Sequence, residues 1–460
     1  MSYHNQSALV IGAGISGFAA AKYLAAAGAR VTLSDAKDEA DAEKDALTQK
    51  HIEDLRAQGI SCVFGAQREE LLDGIDLIVL SPAVPERIPL VRAARARGIR
   101  VTTEVELAGE IARAPIYAIT GTNGKTTTTT LLGELLRAHF SAVGVGGNIG
   151  VPLIDVAQEI PADGAIAAEI SSYQMEATTH FHPAVAAELN VTPDHIVRHG
   201  SMEVYQAMKE KLFAAQTHED FLVLNYDDPH TRGMAERAAG HVCFFSRRTE
   251  LSEGATVRAD GMIVMRWDGA EHVLIPVREL GIPGGHNVEN ALAASAMALL
   301  AGVTPAEARP VLRSFKGVEH RIEFVRTLDG VNYYNDSKAT NTDSAIKALE
   351  AFDGHIVLIA GGDDKLTDLT EFMELVHARV DELILIGDAA ARFAAAAEGA
   401  GLSKQHIRRA GYNMAAAVQA AHDLAAKGQT VLLSPACASF DMYSGYEERG
   451  RDFKRIVNEL

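Results

Sequence analysis

A short glycine loop followed by a lysine is the feature that most constrains this chain. Residues 120–128 read TGTNGKTTT, between the apolar run 116–119 and a helical stretch that begins near Thr127. A strand, a glycine loop and a helix in this order can surround an anion with backbone N–H groups, the helix N-terminus and the Lys125 ammonium. The sequence therefore predicts a nucleoside triphosphate site, with the Thr126 hydroxyl placed to ligate magnesium. The residues predicted to line this site are Gly121, Thr122, Asn123, Gly124, Lys125, Thr126 and Thr127.

The loop is shorter than the common Gly-x-x-x-x-Gly-Lys-[Ser/Thr] pattern, because Ile119 stands where that pattern requires the first glycine. A Gly-Asn turn before a threonine-rich helix start is the alternative explanation. The strand before the loop, the helix after it and the Lys-Thr-Thr run favour phosphate binding.

Length, composition and charge limit the class of protein. At about 150 residues per domain, 460 residues predict three domains, and the sequence places them at 1–104, 105–317 and 318–460. No apolar run approaches the roughly 18 residues that cross a bilayer, and residues 1–6 do not resemble a secretory signal, so we expect a cytoplasmic protein without a membrane span. The net charge of −18 argues against nucleic acid as a partner. Cys62, Cys243 and Cys437 are too far apart to predict a disulfide framework or a zinc site.

The predicted fold class is α/β in all three domains. Residues 8–35 read as a strand, a Gly-x-Gly-x-x-Gly turn at 12–17, a helix and a second strand ending in Asp35, which predicts a Rossmann-like domain with a nucleotide or dinucleotide site. The central domain, which carries the phosphate loop, is predicted to be P-loop ATPase-like. Strands at 356–360, 383–386 and 431–433 alternate with helices, so the C-terminal domain is predicted to be Rossmann-like as well.

Polar residues follow several predicted strands at their carboxyl ends. Glu169 ends one strand, and Asp194 and His195 follow another that we expect to span 184–191. The segments 335–341, 361–365 and 434–441 follow strands of the last domain. In an open α/β sheet these ends share one edge, so their side chains can converge on one ligand, and a carboxylate there can hold magnesium. Lys209, in contrast, reads as a solvated helix lysine.

A series of motifs occurs in one order along the chain: 121–126, 147–150, 169–172, 194–195, 286–290, 320–321, 335–341 and 434–439. In these motifs the chain resembles the Mur ligases over its whole length. The segments 335–341 and 434–439 resemble most the member of that family that adds D-glutamate. The resemblance implies that ATP phosphorylates the terminal carboxylate of UDP-N-acetylmuramoyl-L-alanine and that the amine of D-glutamate attacks the acyl phosphate, in the synthesis of peptidoglycan precursors.

The resemblance also implies roles for residues, with ATP and Mg²⁺ as cofactors and a monomer as the expected state. Lys125, Glu169, His195 and Lys209 would be catalytic. Thr126 and Glu169 would hold one magnesium ion, and His195 would help to hold a second. Lys209 would be a further metal ligand as a carbamate, because the family carries a carbamylated lysine four residues after a tyrosine, here Tyr205. Further ATP contacts would be His286, Asn290, Arg321 and Asp336. The UDP substrate would contact Ile15, Ser16, Asp35, Lys37, Asn148, Ser171 and Gln174. D-Glutamate would contact Thr340, Lys365, Ser439, Phe440 and Tyr446.

Three alternatives stay open at this point. A dehydrogenase would use the glycine turn at 12–17 for NAD but would leave the loop at 121–126 unexplained. Another member of the same ligase group would use a different acceptor, although the Asp-Asn-Pro-Arg loop of the diaminopimelate- or lysine-adding enzymes is not present in this chain. An ATP-driven binding module would release phosphate without forming an amide.

Overall fold

The structure is a computed structural model that describes residues 3–42, 46–194, 196–282, 284–352, 354–364 and 366–460. The chain divides into two compact units, Met1–Phe315 and Lys316–Leu460. Strands and helices alternate through both units, which confirms the predicted α/β class. The domain boundaries at 104/105 and 317/318 stay predictions. His195 and Lys365 lie outside the described residues, so the roles expected of them also stay predictions.

Unit 1 contains fourteen strands and twelve α-helices among its described residues. The strands are β1 (Ser7–Ile11), β2 (Arg30–Asp35), β3 (Ser61–Phe64), β4 (Leu77–Leu80), β5 (Arg100–Thr103), β6 (Ile116–Thr120), β7 (Val143–Gly147), β8 (Ala165–Glu169), β9 (Val185–Glu188), β10 (Phe221–Asn225), β11 (His241–Ser246), β12 (Gly254–Val257), β13 (Met262–Trp267) and β14 (Ala270–Pro276). The helices are α1 (Ile15–Ala26), α2 (Glu39–Ala42), α3 (Ala46–Ala57), α4 (Pro89–Ala96), α5 (Glu104–Ile111), α6 (Lys125–Arg137), α7 (Leu153–Glu159), α8 (Ile196–His199), α9 (Met202–Glu210), α10 (Pro229–Met234), α11 (Gly285–Leu300) and α12 (Pro305–Ser314).

The first sheet of unit 1 has the order β3-β2-β1-β4-β5, with all strands parallel. Both β1 and β4 are buried along their whole length, as expected for apolar strands covered on two faces. The chain order reverses on the two sides of β1, and ligands of open α/β sheets bind at such a point. This arrangement confirms the Rossmann-like fold predicted from the glycine turn.

The second sheet of unit 1 places the phosphate loop between two strand ends. Its order is β14-β13-β12-β11-β10-β9-β6-β8-β7, and only β13 runs antiparallel to its neighbours. The loop leaves the carboxyl end of β6, and the last residues of the neighbouring β8 and β9 are Glu169 and Glu188. Helices α6 and α11 cover one face of this sheet with leucine, alanine and methionine side chains. Because β6 lies between β9 and β8, one glutamate lies on each side of the loop.

Helix α5 joins the two sheets of unit 1 through two buried glutamates. The Thr103 hydroxyl accepts a hydrogen bond from the Glu106 N–H and caps the helix. Glu104 Oε1 accepts from the Ile154 N–H at 2.6 Å, which ties α5 to the start of α7. Glu106 accepts from the N–H groups of Thr179 and His180, both at 2.8 Å. Two carboxylates of one helix thus satisfy backbone donors of the second sheet's segments, and the Glu104 contact crosses the predicted boundary at 104/105.

Unit 2 is built on one sheet. Its strands are β15 (Glu323–Leu328), β16 (Val331–Asn335), β17 (Ile356–Gly361), β18 (Val380–Ile386), β19 (Ile407–Gly411) and β20 (Thr430–Leu433), and its helices are α13 (Thr342–Glu350), α14 (Thr370–Arg379), α15 (Ala390–Gly399), α16 (Met414–Leu424) and α17 (Tyr446–Glu459). The order is β15-β16-β20-β17-β18-β19, parallel except for β15. The apolar side chains of β17 alternate between two cores on the opposite faces of the sheet. Strands β16 and β20 are neighbours, so the loops that follow them start side by side.

Two sequence predictions on local structure are corrected. The strand expected over 184–191 spans only Val185–Glu188, and after it the Leu189 N–H still donates to the Thr120 carbonyl of β6. The helix expected from Thr127 begins two residues earlier, at Lys125. Among the described residues no helix is both long enough and apolar enough to cross a membrane.

Candidate active site

The phosphate loop has two glycines that no other residue could replace without movement. Gly124, the residue before α6, has a φ of +83°, and a Cβ there would lie 2.3 Å from Asn290 Oδ1. Gly121 has a φ of +151°, and its Cβ would lie 2.9 Å from the Leu189 Cβ. Left-handed backbone and close neighbours both require glycine. The loop is therefore pressed between the segment after β9 and the second turn of α11.

The segment after β9 holds the loop through paired hydrogen bonds. The Thr122 N–H donates to the Asn190 carbonyl at 2.9 Å. The Asn123 N–H donates to Asn190 Oδ1 at 2.8 Å, and Asn190 Nδ2 donates back to the Asn123 carbonyl at 3.2 Å. The Thr122 hydroxyl lies 3.0 Å from the Tyr205 hydroxyl. The loop conformation is thus fixed by protein contacts, which reduces the entropy that a bound phosphate would have to remove.

Lys125 and the start of α6 supply positive charge to the loop. Lys125 Nζ donates to the carbonyls of Gly121 and Thr122, both at 2.8 Å, so its ammonium lies over the loop. Because Lys125 is the first residue of α6, the unpaired N–H groups of that helix point to the same place. Thr126 is buried in the first turn of the same helix. The arrangement offers an anion a cation, a helix N-terminus and a fixed loop.

The second turn of α11, which carries Asn290, also reaches the loop. Asn290 is buried, accepts a hydrogen bond from the Thr128 hydroxyl at 3.2 Å and donates to Asn287 Oδ1 at 3.2 Å. His286 lies one turn earlier and is exposed. The structure therefore brings both predicted residues of α11 to the helix end next to α6.

Glu169 lies beside the loop, and one of its carboxylate oxygens accepts no hydrogen bond from the described residues. Register pairs it with Ile119 of β6, and only 2% of the residue is exposed. Its Oε1 accepts from Asn148 Nδ2 at 2.8 Å, whereas its Oε2 is buried without a hydrogen-bond partner among the described residues. A buried carboxylate oxygen without a partner is costly, and a hard cation would satisfy it. The residues present therefore fit magnesium, although no group of three His, Cys, Asp or Glu side chains suited to a metal occurs within the described ranges.

Lys209 is buried, so its default interpretation as a solvated helix lysine is wrong. It is 1% exposed, because α9 turns the face that carries Tyr205 and Lys209 toward the sheet. Its Nζ lies 4.7 Å from the centroid of the Tyr205 ring. Burial, together with the charge of Lys125, lowers the pKa of Lys209 to about 7. A large share of this amine is neutral near neutral pH, which is the form that reacts as a nucleophile.

The glycine turn of the first sheet is held by Asp35. One oxygen of Asp35 accepts from the Ala13 N–H at 2.7 Å and the other from the Lys37 N–H at 2.9 Å. Ile15 starts α1 with 54% of its surface exposed, and Ser16 follows it. Asp35 thus positions the turn and its following loop, and the apolar Ile15 is presented to solvent beside it.

The loop after β8 contains the other predicted residues of unit 1. Ser171 donates to Gln174 Oε1 through its N–H at 2.9 Å and through its hydroxyl at 3.0 Å, so these two residues form one local turn. Arg198 of α8 donates to Glu176 at 2.7 and 3.0 Å and also to the carbonyls of Pro82 and Ala83. This arginine ties the loop after β4 to the loop after β8.

In unit 2, the loops after β16 and β20 meet around Asp336. Asp336 accepts from the Ser434 hydroxyl at 2.8 Å and from the Ile322 N–H at 3.1 Å, and burial raises its pKa to about 7. Buried Arg449 donates to the carbonyls of Ser337, Cys437 and Ala438. The remaining predicted residues differ in exposure: Ser439 is buried, Thr340 and Tyr446 are half-buried, and Arg321 and Phe440 are exposed, Phe440 at 71%.

Comparison with known protein families gives a consistent result for all three parts of the chain. The model of the Mur ligase MurD-like N-terminal domain matches residues 6–103, that of the Mur ligase middle domain matches 119–298, and that of the Mur ligase glutamate ligase domain matches 320–437. The chain belongs to the Mur ligase family. Mur ligases add amino acids to UDP-N-acetylmuramoyl peptides in ATP-dependent reactions of peptidoglycan synthesis.

Individual relatives agree with the family models. The chain is 44% identical over 460 residues to the UDP-N-acetylmuramoylalanine--D-glutamate ligase of Thermoanaerobacter sp. (strain X514), with both chains covered completely. It is 46% identical to the ligase of the same name from Pelotomaculum thermopropionicum, covering 100% of this chain and 98% of the relative. Among solved structures, the MurF ligase of Thermotoga maritima in complex with ADP is 19% identical with a TM-score of 0.53, covering 85% of this chain and 90% of the other, and this likeness supports the fold alone.

One buried carboxylate of this Mur ligase was missed by the sequence reasoning. Glu188 ends β9 on the other side of β6 from Glu169, is 0% exposed, and has no hydrogen-bond partner on either oxygen among the described residues. Burial raises its pKa to about 8. The signal was present, because Ala-Ala-Glu ends both β8 and β9. The predicted strand extended to residue 191, so Glu188 was placed inside the strand and not at its end.

Proposed function

We propose that this Mur ligase joins D-glutamate to UDP-N-acetylmuramoyl-L-alanine, with conversion of ATP to ADP and phosphate. The full-length relatives at 44% and 46% identity that carry this activity in their names support the choice of substrates. The observation that carries the proposal is the fixed phosphate loop, in which the ammonium of Lys125 lies 2.8 Å from two loop carbonyls at the start of α6. Its expected cytoplasmic location and monomeric state stay predictions.

The chemistry follows from what such a loop can stabilise. A carboxylate oxygen of the UDP substrate attacks the γ-phosphorus of ATP, the bond between γ-phosphorus and the bridging oxygen breaks, and ADP leaves. The unprotonated amine of D-glutamate then attacks the acyl carbon, and the bond from carbon to the phosphate oxygen breaks as the amide forms. Phosphoryl transfer needs positioning and charge neutralisation more than covalent catalysis, so Lys125 and the amides of α6 are assigned to the charge on the transferred group.

Magnesium would neutralise further charge on the phosphates when bound. We assign Thr126 and Glu169 to one magnesium ion and His195 to a second, with a carbamylated Lys209 as a further metal ligand. The unpartnered Oε2 of Glu169 supports this assignment, because a hard cation prefers such an oxygen. The burial of Lys209 supports the carbamate, because only the neutral amine adds to carbon dioxide. We expect activity to fall in bicarbonate-free buffer. An unmodified amine by mass spectrometry with full activity in that buffer would contradict the assignment.

The remaining assignments follow the family motifs within each unit. In unit 1, His286 and Asn290 are assigned to ATP. Also in unit 1, Ile15, Ser16, Asp35, Lys37, Asn148, Ser171 and Gln174 are assigned to the UDP substrate. In unit 2, Arg321 and Asp336 are assigned to ATP, and Thr340, Lys365, Ser439, Phe440 and Tyr446 to D-glutamate. We expect Lys365→Ala to raise the concentration of D-glutamate needed for half-maximal rate, and an unchanged requirement would remove Lys365 from that site.

The decisive experiment measures phosphate release with ATP, magnesium and UDP-N-acetylmuramoyl-L-alanine. D-Glutamate, L-glutamate, lysine and diaminopimelate are compared as acceptors, and the amide product is identified by mass spectrometry. We expect coupled release and product with D-glutamate only. Preference for another acceptor would assign the chain to a different member of the family, and release without amide would favour an ATP-driven binding module.

A further inference from the structure

Glu188 is the buried group that the proposed chemistry leaves without a role. Register pairs it with Thr120, the residue directly before the phosphate loop. Both of its carboxylate oxygens and the Thr120 hydroxyl are buried without hydrogen-bond partners among the described residues. Native proteins rarely leave three neighbouring oxygen atoms unsatisfied, because each costs free energy. Something that is not part of the described chain is needed to satisfy them.

These oxygens lie on the face of the sheet that α9 covers. Ala186 of β9 and Ala118 of β6 pack in the same core as Tyr205 of α9. Side chains alternate along a strand, so Glu188 and Thr120, each two residues further on, project from that same face. Lys209 is buried on the same helix as Tyr205. Glu188, Thr120 and Lys209 are therefore all buried at this face of the sheet, below the phosphate loop.

The charges around Glu188 come from several elements. Lys209 of α9 and Lys125 of α6 attract its carboxylate, whereas Glu210 of α9 and Asp228 before α10 repel it. If Lys209 carries the carbamate of the proposed function, its charge becomes negative. With Glu188 ionised as well, two anions would lie close together, and a cation between them would stabilise both charges.

We propose that Glu188 and the Thr120 hydroxyl are further ligands of the divalent cation that the carbamate of Lys209 holds. The inference rests on the carbamate and magnesium of the proposed function and adds ligands from β9 and β6. Carboxylate and hydroxyl oxygens are the donors that Mg²⁺ and Mn²⁺ prefer. Water could satisfy these oxygens while Glu188 stays protonated, whereas a divalent cation would also stabilise its ionised carboxylate.

The test is Mn²⁺ affinity, measured by electron paramagnetic resonance of free Mn²⁺ on the full chain with ADP and bicarbonate. We expect Glu188→Gln, which keeps the shape and removes the charge, to weaken Mn²⁺ binding roughly tenfold or more. Glu188→Asp keeps the charge and should weaken it less. Glu104→Gln is the matched control, because Glu104 is also a buried carboxyl at a strand boundary but accepts a backbone hydrogen bond instead. Its Mn²⁺ affinity should equal that of the wild type.

Three results would overturn the inference. Mn²⁺ affinity of Glu188→Gln within twofold of the wild type would remove Glu188 from the cation site. Equal losses in Glu188→Gln and Glu188→Asp, or the same loss in Glu104→Gln, would assign the effect to packing. Absence of Mn²⁺ binding by the wild type would also reject it, and phosphate release by the wild type then decides separately whether the proposed ligase reaction stands. Thermal unfolding of each variant shows that it is folded.

Discussion

Replacing Gly124 by alanine tests how tightly α11 presses on the phosphate loop. The added Cβ would lie 2.3 Å from Asn290 Oδ1, on a backbone with a φ of +83°. Gly98, after α4, offers a matched control, because its φ is +73° and a Cβ there would meet nothing within 4 Å. Gly98→Ala therefore measures the cost of left-handed backbone alone, and Gly124→Ala measures the same cost plus a collision.

The two costs can be estimated separately. Alanine in the left-handed region costs about 1 kcal/mol at either position. Displacing Asn290 adds roughly 1–3 kcal/mol, because overpacking a fixed side chain forces it and its partners to move. Asn290 is held by Thr128 and Asn287, so it cannot swing away freely. We expect Gly124→Ala to lower the free energy of unfolding by about 2–4 kcal/mol and Gly98→Ala by about 1 kcal/mol.

Thermal unfolding provides the assay. At roughly 2 °C per kcal/mol for a unit of this size, the melting temperature should fall by about 2 °C in Gly98→Ala and by at least twice that in Gly124→Ala. Asn290→Ala removes the colliding atom, so in that background the effect of Gly124→Ala should shrink toward that of Gly98→Ala. Equal costs for the two glycines, or a collision cost that persists without Asn290, would refute the reasoning.

Three further predictions concern unit 1. Lys125→Ala should reduce ATP-dependent phosphate release roughly a hundredfold or more with unchanged thermal unfolding. Lys22 is exposed, and the control variant Lys22→Ala should release phosphate at the wild-type rate. Near-normal release by Lys125→Ala would refute the role of Lys125. Burial raises the pKa of Glu104 to about 7 from 4.5. The contribution of Glu104 to stability is thus full below pH 4.5 and is lost as the pH rises through 7. Between pH 4.5 and 7.5 the free energy of unfolding of the wild type should therefore fall by up to about 3 kcal/mol relative to that of Glu104→Gln. A difference in melting temperature that stays constant over this range would show that the pKa of the carboxyl is not perturbed. Thr304→Ala, which breaks the capping box of α12, should cost about 1 kcal/mol by thermal unfolding, and Thr304→Ser should cost much less.

Local signals predicted the loop well because its chemistry is contiguous in sequence. Strand, glycines, lysine and helix start lie within about thirteen residues, and the structure places β6 and α6 within two residues of the prediction. Strands β7 and β19 were not predicted, because their sequences, VGVGG and IRRAG, lack the apolar run that marks a buried strand. Such segments become strands because they pair with a neighbouring strand, and their own sequence does not indicate it.

The Ala-Ala-Glu pattern marks Glu188 as the end of a strand, but the burial of Glu188 and Lys209 could not be read from local sequence, for a related reason. Lys209 sits in a stretch, MEVYQAMKE, whose composition is typical of an exposed helix, and its burial depends on which face α9 turns toward the sheet. Glu188 is buried because β9 lies inside the sheet between β10 and β6, an order that the chain sequence does not state. Tertiary placement, not propensity, decides the environment of both groups.

The contacts of α5 bear on how this protein can be divided for experiments. A fragment cut at 104/105 would divide α5 after its first residue and separate the Glu104 carboxylate from its donor, the Ile154 N–H. Each piece would expose groups that the intact chain keeps satisfied, and the first sheet would lose the helix that closes it. Residues 1–315 are therefore the smallest N-terminal piece that we would expect to purify as a well-behaved folded protein.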